Sequence, residues 1–294
     1  MYSFKSGRDG YFPWGNLTFD STGNLYGATQ FGGGKGNTCN PYFQYCGTVF
    51  ELRPPKQKGG KWAEKVLYSF AGVQKGKQFG DGANPNGGLV LDRRGAIYGT
   101  TYFGGNNKKG VCEGGVGGTG CGTAFELSPP TKKGGVWTEK RLHVFTNGTD
   151  GTHPAAGMIF DAEGDLLGTT IDTLFRLTPT RKLGVWREDI LYEFNSEAWG
   201  PEGSLVLDNA GTLYGTTYSA QNYSGIVFSL TPPGSKGGTW NFNVLYGFKG
   251  PPDGAKPASA VIFDTAGVLY STTTMGGTGQ SCQFGCGTVF DLVP

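Results

Sequence analysis

One phrase occurs five times in this chain, and that recurrence restricts the fold more than any other feature. It reads GNLYGATQ from Gly23, GAIYGTTY from Gly95, GDLLGTTI from Gly164, GTLYGTTY from Gly211 and GVLYSTTT from Gly267. The spacings are 72, 69, 47 and 56 residues, a period that suits a four-stranded propeller blade. Before each copy runs an apolar stretch that closes on Asp: NLTFD, GLVLD, GMIFD, SLVLD and AVIFD. After each, beyond a loop of variable length, come GTVFEL, GTAFEL, DTLFRL, GIVFSL and GTVFDL. A Pro-rich turn then leads to Trp62, Trp137, Trp186 or Trp240, and to a run ending VLYSF, RLHVF, ILYEF or VLYGF.

All four kinds of run are β-branched or aromatic and bounded by turn residues, and none has a helical period. We label them strands A, B, C and D. Strand A is apolar at successive positions, as a strand covered on both faces should be, so it is expected innermost. The D-x-x-G link from A to B is a tight turn, with Gly at the positive-φ position. Strands A, B and C occur five times but a complete D only four times. The missing one is the YSF of Tyr2 to Phe4. The expectation is an all-β, five-bladed β-propeller, a single domain over residues 1–294. Its blade 5 is closed by the N-terminal strand pairing with Thr288 to Leu292, which removes an open edge. An open β-solenoid is the competing architecture, but it has no use for a split repeat.

Composition narrows the partners. Glycine supplies 54 of 294 residues, yet aromatics reach 14%, too many for a disordered chain. A net charge of +2 gives no general field for nucleic acid. No apolar run approaches a membrane span. The strand-like opening MYSF is expected to follow a removed leader. The six cysteines fall into three close pairs: Cys39 with Cys46, Cys112 with Cys121, and Cys282 with Cys286. Each pair sits in a Gly-rich loop with no neighbouring His, so local disulfides are favoured over zinc. They imply a secreted or cell-surface home.

Taken together, GxLYGTTxxGG, GTVFEL, WxExxLYSF and DGxxP resemble the GloVer tandem repeat of bacterial exported or surface-anchored proteins. The resemblance covers nearly the whole chain. It implies export and a repeat architecture, and carries no catalytic residues with it.

In a propeller the D–A and B–C loops share one face, here called the top. The bottom C–D turns carry Lys56, Lys58, Lys61, Lys132, Lys133, Arg181, Lys182 and Lys236, read as solvated turns or as a base plate for an anionic polysaccharide. The top D–A loops align on Pro13, Pro85, Pro154, Pro201 and Pro257. Four residues before each stands an acid: Asp9, Asp81, Asp150, Glu197 and Asp253. With Glu202 these form the pool from which a glycosidase would draw its two carboxylates. They are also what Ca²⁺ would collect, or simply turn residues holding loop N–H groups. No cofactor is otherwise expected.

What differs between blades marks the candidate site. Tyr11, Phe12, Trp14, Asn84, Tyr102, His153, Trp199 and Tyr218 are the expected ligand contacts, with Asn86, Phe31 and Lys256 nearby. Rings beside amides and acids suit sugars, whose CH faces lie on aromatics while their hydroxyls meet polar groups. His143 stands where other D strands have Tyr and is expected to pack. Three functions follow: a monomeric, lectin-like propeller binding a glycan or polysaccharide, a carbohydrate-active enzyme, or an adhesion module with no small ligand.

Overall fold

The computed structural model describes residues 2–33, 46–72, 80–105, 112, 120–194, 198–235, 237–279 and 281–294. The chain is all-β, apart from a 3-10 turn at Gly7–Asp9, and is arranged as a five-bladed β-propeller. The first sheet is β1 Tyr11–Phe19, β2 Leu25–Phe31, β3 Thr48–Arg53 and β4 Ala63–Ser69, in that order. The second holds β5 Ala83–Pro85, β6 Val90–Leu91, β7 Ile97–Phe103, β8 Thr123–Ser128 and β9 Thr138–Val144. The third is β10 Ile159–Phe160, β11 Leu166–Thr169, β12 Thr173–Pro179 and β13 Trp186–Glu193. In the fourth repeat β14 Ala198–Trp199 pairs with β17 Ser219–Ala220, beside the sheet of β15 Val206–Leu207, β16 Leu213–Thr217, β18 Ile226–Thr231 and β19 Asn241–Gly247. In the fifth, β20 Gly254–Ala255 pairs with β23 Met275–Gly276, beside β21 Ile262–Phe263, β22 Leu269–Thr273 and β24 Thr288–Leu292.

Every residue of the repeated phrase has a physical task. Its Tyr hydroxyl donates to the Asp that closes strand A: Tyr26 to Asp20 at 3.1 Å, Tyr98 to Asp92 at 3.3 Å, Tyr214 to Asp208 at 3.2 Å and Tyr270 to Asp264 at 3.3 Å. The same Asp accepts backbone N–H groups two and four residues on, as Asp20 does from Thr22 and Asn24. The Gly lies under the Phe ring of strand C. A Cβ at Gly99 would stand 2.7 Å from Phe125 Cζ, and one at Gly27 2.6 Å from Phe50 Cζ. The first Thr donates to the next repeat's loop, Thr100 to the Ala156 carbonyl at 2.9 Å and Thr216 to that of Ser259 at 3.2 Å. The second meets the Thr that opens strand C: Thr29 with Thr48, Thr101 with Thr123 and Thr273 with Thr288, each at 2.8 Å.

Strand A departs from expectation. In four repeats it is only two residues long, and in the second, fourth and fifth the stretch before it pairs separately, as β5 does with β7, β14 with β17 and β20 with β23. Each loop's Pro brings no N–H to a ladder, and the chain bulges around it. In the first sheet the two pieces fuse into β1, with the irregularity between Trp14 and Thr18.

Two compact units emerge, Met1–Met158 with Pro179–Arg187, and Ile159–Thr178 with Glu188–Pro294. The first is cored by Val49, Leu67, Phe70, Leu89, Ile97, Phe125 and Leu127, with Phe70 edge-on to Phe125 at 5.1 Å. In the second, Leu174, Phe194, Leu213, Ile226, Phe228 and Leu230 form one cluster, and Val227, Phe248, Val261 and Leu269 another. The N-terminal residues reproduce the end of a D strand through side chains. Tyr2 donates to Asp9 at 3.0 Å and Phe4 packs on Phe50 at 5.0 Å, as Tyr68 donates to Asp81 and Phe70 packs on Phe125. Residues 2–4 carry no strand pairing, and the sheet of β21, β22 and β24 has three strands among the described residues.

Cys112–Cys121 and Cys282–Cys286 are disulfides, each within its own B–C loop, and Cys46 is disulfide-bonded. Cys39 lies outside the described residues. Among these residues no helix is long and apolar enough to cross a membrane.

Candidate functional site

The D–A loops share a backbone feature that no composition argument reveals. The residue before each loop Pro has positive φ: Phe12 55°, Asn84 56°, His153 50°, Gly200 72° and Lys256 58°. A residue before Pro favours extended backbone, and a non-Gly residue in the left-handed region costs on the order of 1–3 kcal/mol. The cause is a hydrogen bond to the preceding repeat. Asn84 N–H donates to the Cys46 carbonyl at 2.7 Å, His153 to Cys121 at 2.7 Å, Gly200 to Ile171 at 3.1 Å and Lys256 to Ser224 at 2.6 Å. The scaffold needs the backbone at this station and leaves the side chain to vary.

At Asn84, His153 and Lys256 the side chain meets the residue after the second Thr of the preceding phrase, or its backbone. In the first unit Asn84 Nδ2 donates to the Gln30 carbonyl at 3.0 Å, and Gln30 Nε2 donates to Asn86 Oδ1. Asn84 is only 7% exposed, and its Oδ1 is buried with no hydrogen-bond partner. Further along the same unit, the His153 ring lies 4.8 Å from Tyr102 and 5.3 Å from Phe103, with Nδ1 2.6 Å from Thr152 Oγ1. In the second unit Lys256 Nζ sits 4.5 Å from the centroid of Tyr218. Tyr218 N–H donates to the Gly200 carbonyl at 2.8 Å, and Trp199, beside Gly200, is 52% exposed. Burial raises the Glu202 carboxyl, and the charge of Lys256 partly opposes this.

The first loop gathers rings. Tyr11 stacks on Phe31 at 5.5 Å, and Phe12 stands edge-on to Phe31 at 5.8 Å. Phe12 is 57% and Trp14 54% exposed. Of the expected contacts, Tyr11 and Phe12 thus come together around Phe31, Tyr102 joins His153, and Tyr218 joins Lys256. Gln30 was missed. The signal for it was present: it follows the phrase's second Thr, as Tyr102 and Tyr218 do.

The loop acids hold the loops. Asp9 accepts from Tyr2 Oη and the Lys5 N–H, Asp81 from Tyr68 Oη and the Ala71 N–H, and Asp253 from Tyr246 Oη and the Lys249 N–H. Asp150 accepts from the Thr146 N–H at 2.9 Å and sits 3.2 Å from His143 Nε2. His143 therefore takes over the polar partner of the Tyr it replaces, beyond the packing role expected of it. Glu197 lies outside the described residues. Burial pushes the Asp81 carboxyl up. Glu139 of β9 is raised to about 7, by burial first and then by the neighbouring Asp81 charge.

The chain matches no family model and no curated protein. Among solved structures it is similar to a protein of unknown function from Dyadobacter fermentans, at 14% identity over 96% of this chain and 82% of that one, TM-score 0.52. It is also similar to a glucose dehydrogenase, at 14% identity over 95% and 82%, TM-score 0.51. A third is the PQQ-bound form of an aldose sugar dehydrogenase from Streptomyces coelicolor, at 11% identity over 92% and 75%, TM-score 0.50. At these identities the likeness is one of fold.

Proposed function

We propose that this protein is a carbohydrate-binding propeller that meets a glycan or polysaccharide through its D–A loops. The observation that carries this reading is Asn84. It is held in a costly backbone conformation, buried, and left with an acceptor oxygen open. A buried amide oxygen without a donor forfeits about 1–3 kcal/mol, which a ligand hydroxyl would restore only by displacing the atoms that now cover it. Exposed rings at Phe12 and Trp14 supply the apolar faces that sugar CH groups need. That two proteins of similar fold are named for sugars supports the same reading.

The test is titration calorimetry of the purified chain against a glycan panel, with and without Ca²⁺. Asn84→Ala and Trp14→Ala are each expected to weaken the best glycan by about tenfold with the melting curve retained. Unchanged affinity in both folded variants would remove the site from this loop. Calcium is not required by this reading. The loop carboxylates Asp9, Asp81, Asp150 and Asp253 each accept a backbone hydrogen bond from their own loop.

One observation favours a carbohydrate-active enzyme instead, namely two neighbouring carboxyls, Asp81 and Glu139, with the second raised to about 7. A general acid working near neutrality needs such a value. Glycan turnover that Glu139→Gln abolishes would establish that reading. The disulfides, Cys112–Cys121 and Cys282–Cys286 among them, support export to an oxidising compartment, and the resemblance to the GloVer repeat agrees with it.

A further inference from the structure

Three C–D turns belong to the first compact unit, between β3 and β4, β8 and β9, and β12 and β13. Their backbones match. Gly60 N–H donates to the Gln57 carbonyl at 3.0 Å, Gly135 to that of Lys132 at 2.9 Å and Val185 to that of Lys182 at 3.0 Å. Gly59, Gly134 and Gly184 take φ of 83°, 81° and 80°, the positive value that a type II turn asks of its third residue. Trp residues anchor the second and third turns: Trp137 packs on the unit's core and Trp186 stands edge-on to Tyr98 at 6.2 Å. The third turn reaches back to β9, where a Cβ at Gly184 would stand 2.5 Å from Lys140 Nζ. The charge on these turns is of one sign. Residues 54–62, 129–137 and 179–186 hold seven Lys and Arg and no Asp or Glu. All seven are exposed, and none forms an ion pair among the described residues. They outnumber the net charge of +2 for the whole chain, so the remainder is acidic in balance. Arg93, on the A–B turn of the second repeat, is exposed at the same strand ends. Among these cations stand aliphatic side chains with little cover: Leu183 is 100%, Val136 83% and Val185 41% exposed.

We infer that these turns form a docking surface for an anionic phospholipid bilayer. Lys and Arg without intervening acids are drawn to the negative surface of such a bilayer. The aliphatic tips decide between a bilayer and a soluble polyanion. A hydrated chain of carboxylates or sulfates offers Leu183 and Val136 nothing to be buried in, whereas the acyl boundary below the headgroups does. Leu183 stands where the first two turns have Lys58 and Lys133, so the repeat itself does not call for an apolar residue there. The long stems of Lys132, Lys133 and Arg181 let the charged heads stay among the headgroups while the tips go deeper. The surface lies at the other strand ends from the D–A loops of the same unit, so lipid and glycan do not compete for it.

The experiment is co-sedimentation of the full chain with vesicles of phosphatidylcholine alone and of equal parts phosphatidylcholine and phosphatidylglycerol. Binding of fluorescent polygalacturonate, read by anisotropy, is measured beside it. Binding to the anionic vesicles alone is expected, falling as salt is raised. Lys132→Ser with Lys133→Ser should weaken it by about tenfold or more, and Leu183→Ser by about tenfold. Val136→Ser repeats the apolar test at a second tip. All four positions are exposed, and melting curves confirm that each variant folds. Absence of vesicle binding, equal binding to phosphatidylcholine alone, or binding that neither tip variant changes overturns the inference. So does binding of polygalacturonate as tight as that of vesicles and indifferent to Leu183→Ser, which would give the face to an anionic polysaccharide.

Discussion

At Gly99 the repeat leaves room for no side chain. A methyl there would press on Phe125 Cζ and on Leu89 Cδ2 at 2.8 Å, both in a packed core. Gly99→Ala is therefore expected to destabilise the chain by about 1–3 kcal/mol, measured by denaturant melts, because overpacked cores relax poorly. At Gly95, where nothing lies within 4 Å of an added Cβ, the penalty comes only from φ +81°. Most such residue-level assignments could be read from sequence, because repetition exposes them: a Gly, Tyr or Thr that returns four or five times in one frame has one recurring neighbour. The residues of the candidate site resisted the same logic. Gln30, Asn84 and His153 differ from their counterparts, so repetition says where they stand and not what they touch. That Asn84 is buried with its oxygen open depends on the left-handed turn before Pro85, which no local propensity announces.

Elements were legible in type and count, less so in length. Strands B, C and D fall where the alternating and aromatic runs put them. Strand A was read as the apolar run ending in Asp, yet only two of its residues pair in four repeats, and in most of these the Pro-bearing loop before it makes a short pairing of its own. The N-terminal YSF was read as a ladder partner of β24. What is observed is its side-chain half, Tyr2 on Asp9 and Phe4 on Phe50. The loops between B and C give a prediction at this scale. Cys112–Cys121 closes a loop across nine residues of separation, which raises stability by about 2–3 kcal/mol through the unfolded state. Cys112→Ser with Cys121→Ser should lower the melting temperature accordingly. Under reducing conditions the parent should fall to meet that variant, apart from the loss of its other bonds.

For the whole molecule the carboxyls set a pH window from two sides. Asp20 is partly desolvated, but hydrogen bonds from Thr22 and Asn24 outweigh this and hold it at about 2, below its ordinary 3.8. Asp92 and Asp150 are lowered too, against the pull of burial, by their backbone and side-chain donors. Groups lowered on folding stabilise above their ordinary value and lose that contribution as pH falls through the folded one. Glu139 is the reverse case. Raised from 4.5 to about 7, it stabilises fully below 4.5, and that part is lost as pH rises through 7. Glu64, raised by burial and then by Asp9, acts in the same direction. Stability is thus expected to peak in mildly acidic solution, near pH ~5, and to decline on both sides. Melting temperatures taken from pH 3 to 9 check this. Glu139→Gln should flatten the alkaline limb and leave the acid limb as it was.

The bond that four of the pre-proline N–H groups make to the preceding repeat has a consequence for how such a chain can be re-engineered. Because this link is made by the main chain, the side chains at residues 84, 153, 200 and 256 can differ, and Asn, His, Gly and Lys stand there. These positions behave as interchangeable letters in a fixed frame. A library randomised at Asn84, His153 and Lys256 should yield mostly folded proteins, with losses confined to β-branched residues that tolerate positive φ poorly. Scored by protease resistance on a display platform, it would turn a propeller of one specificity into a source of many.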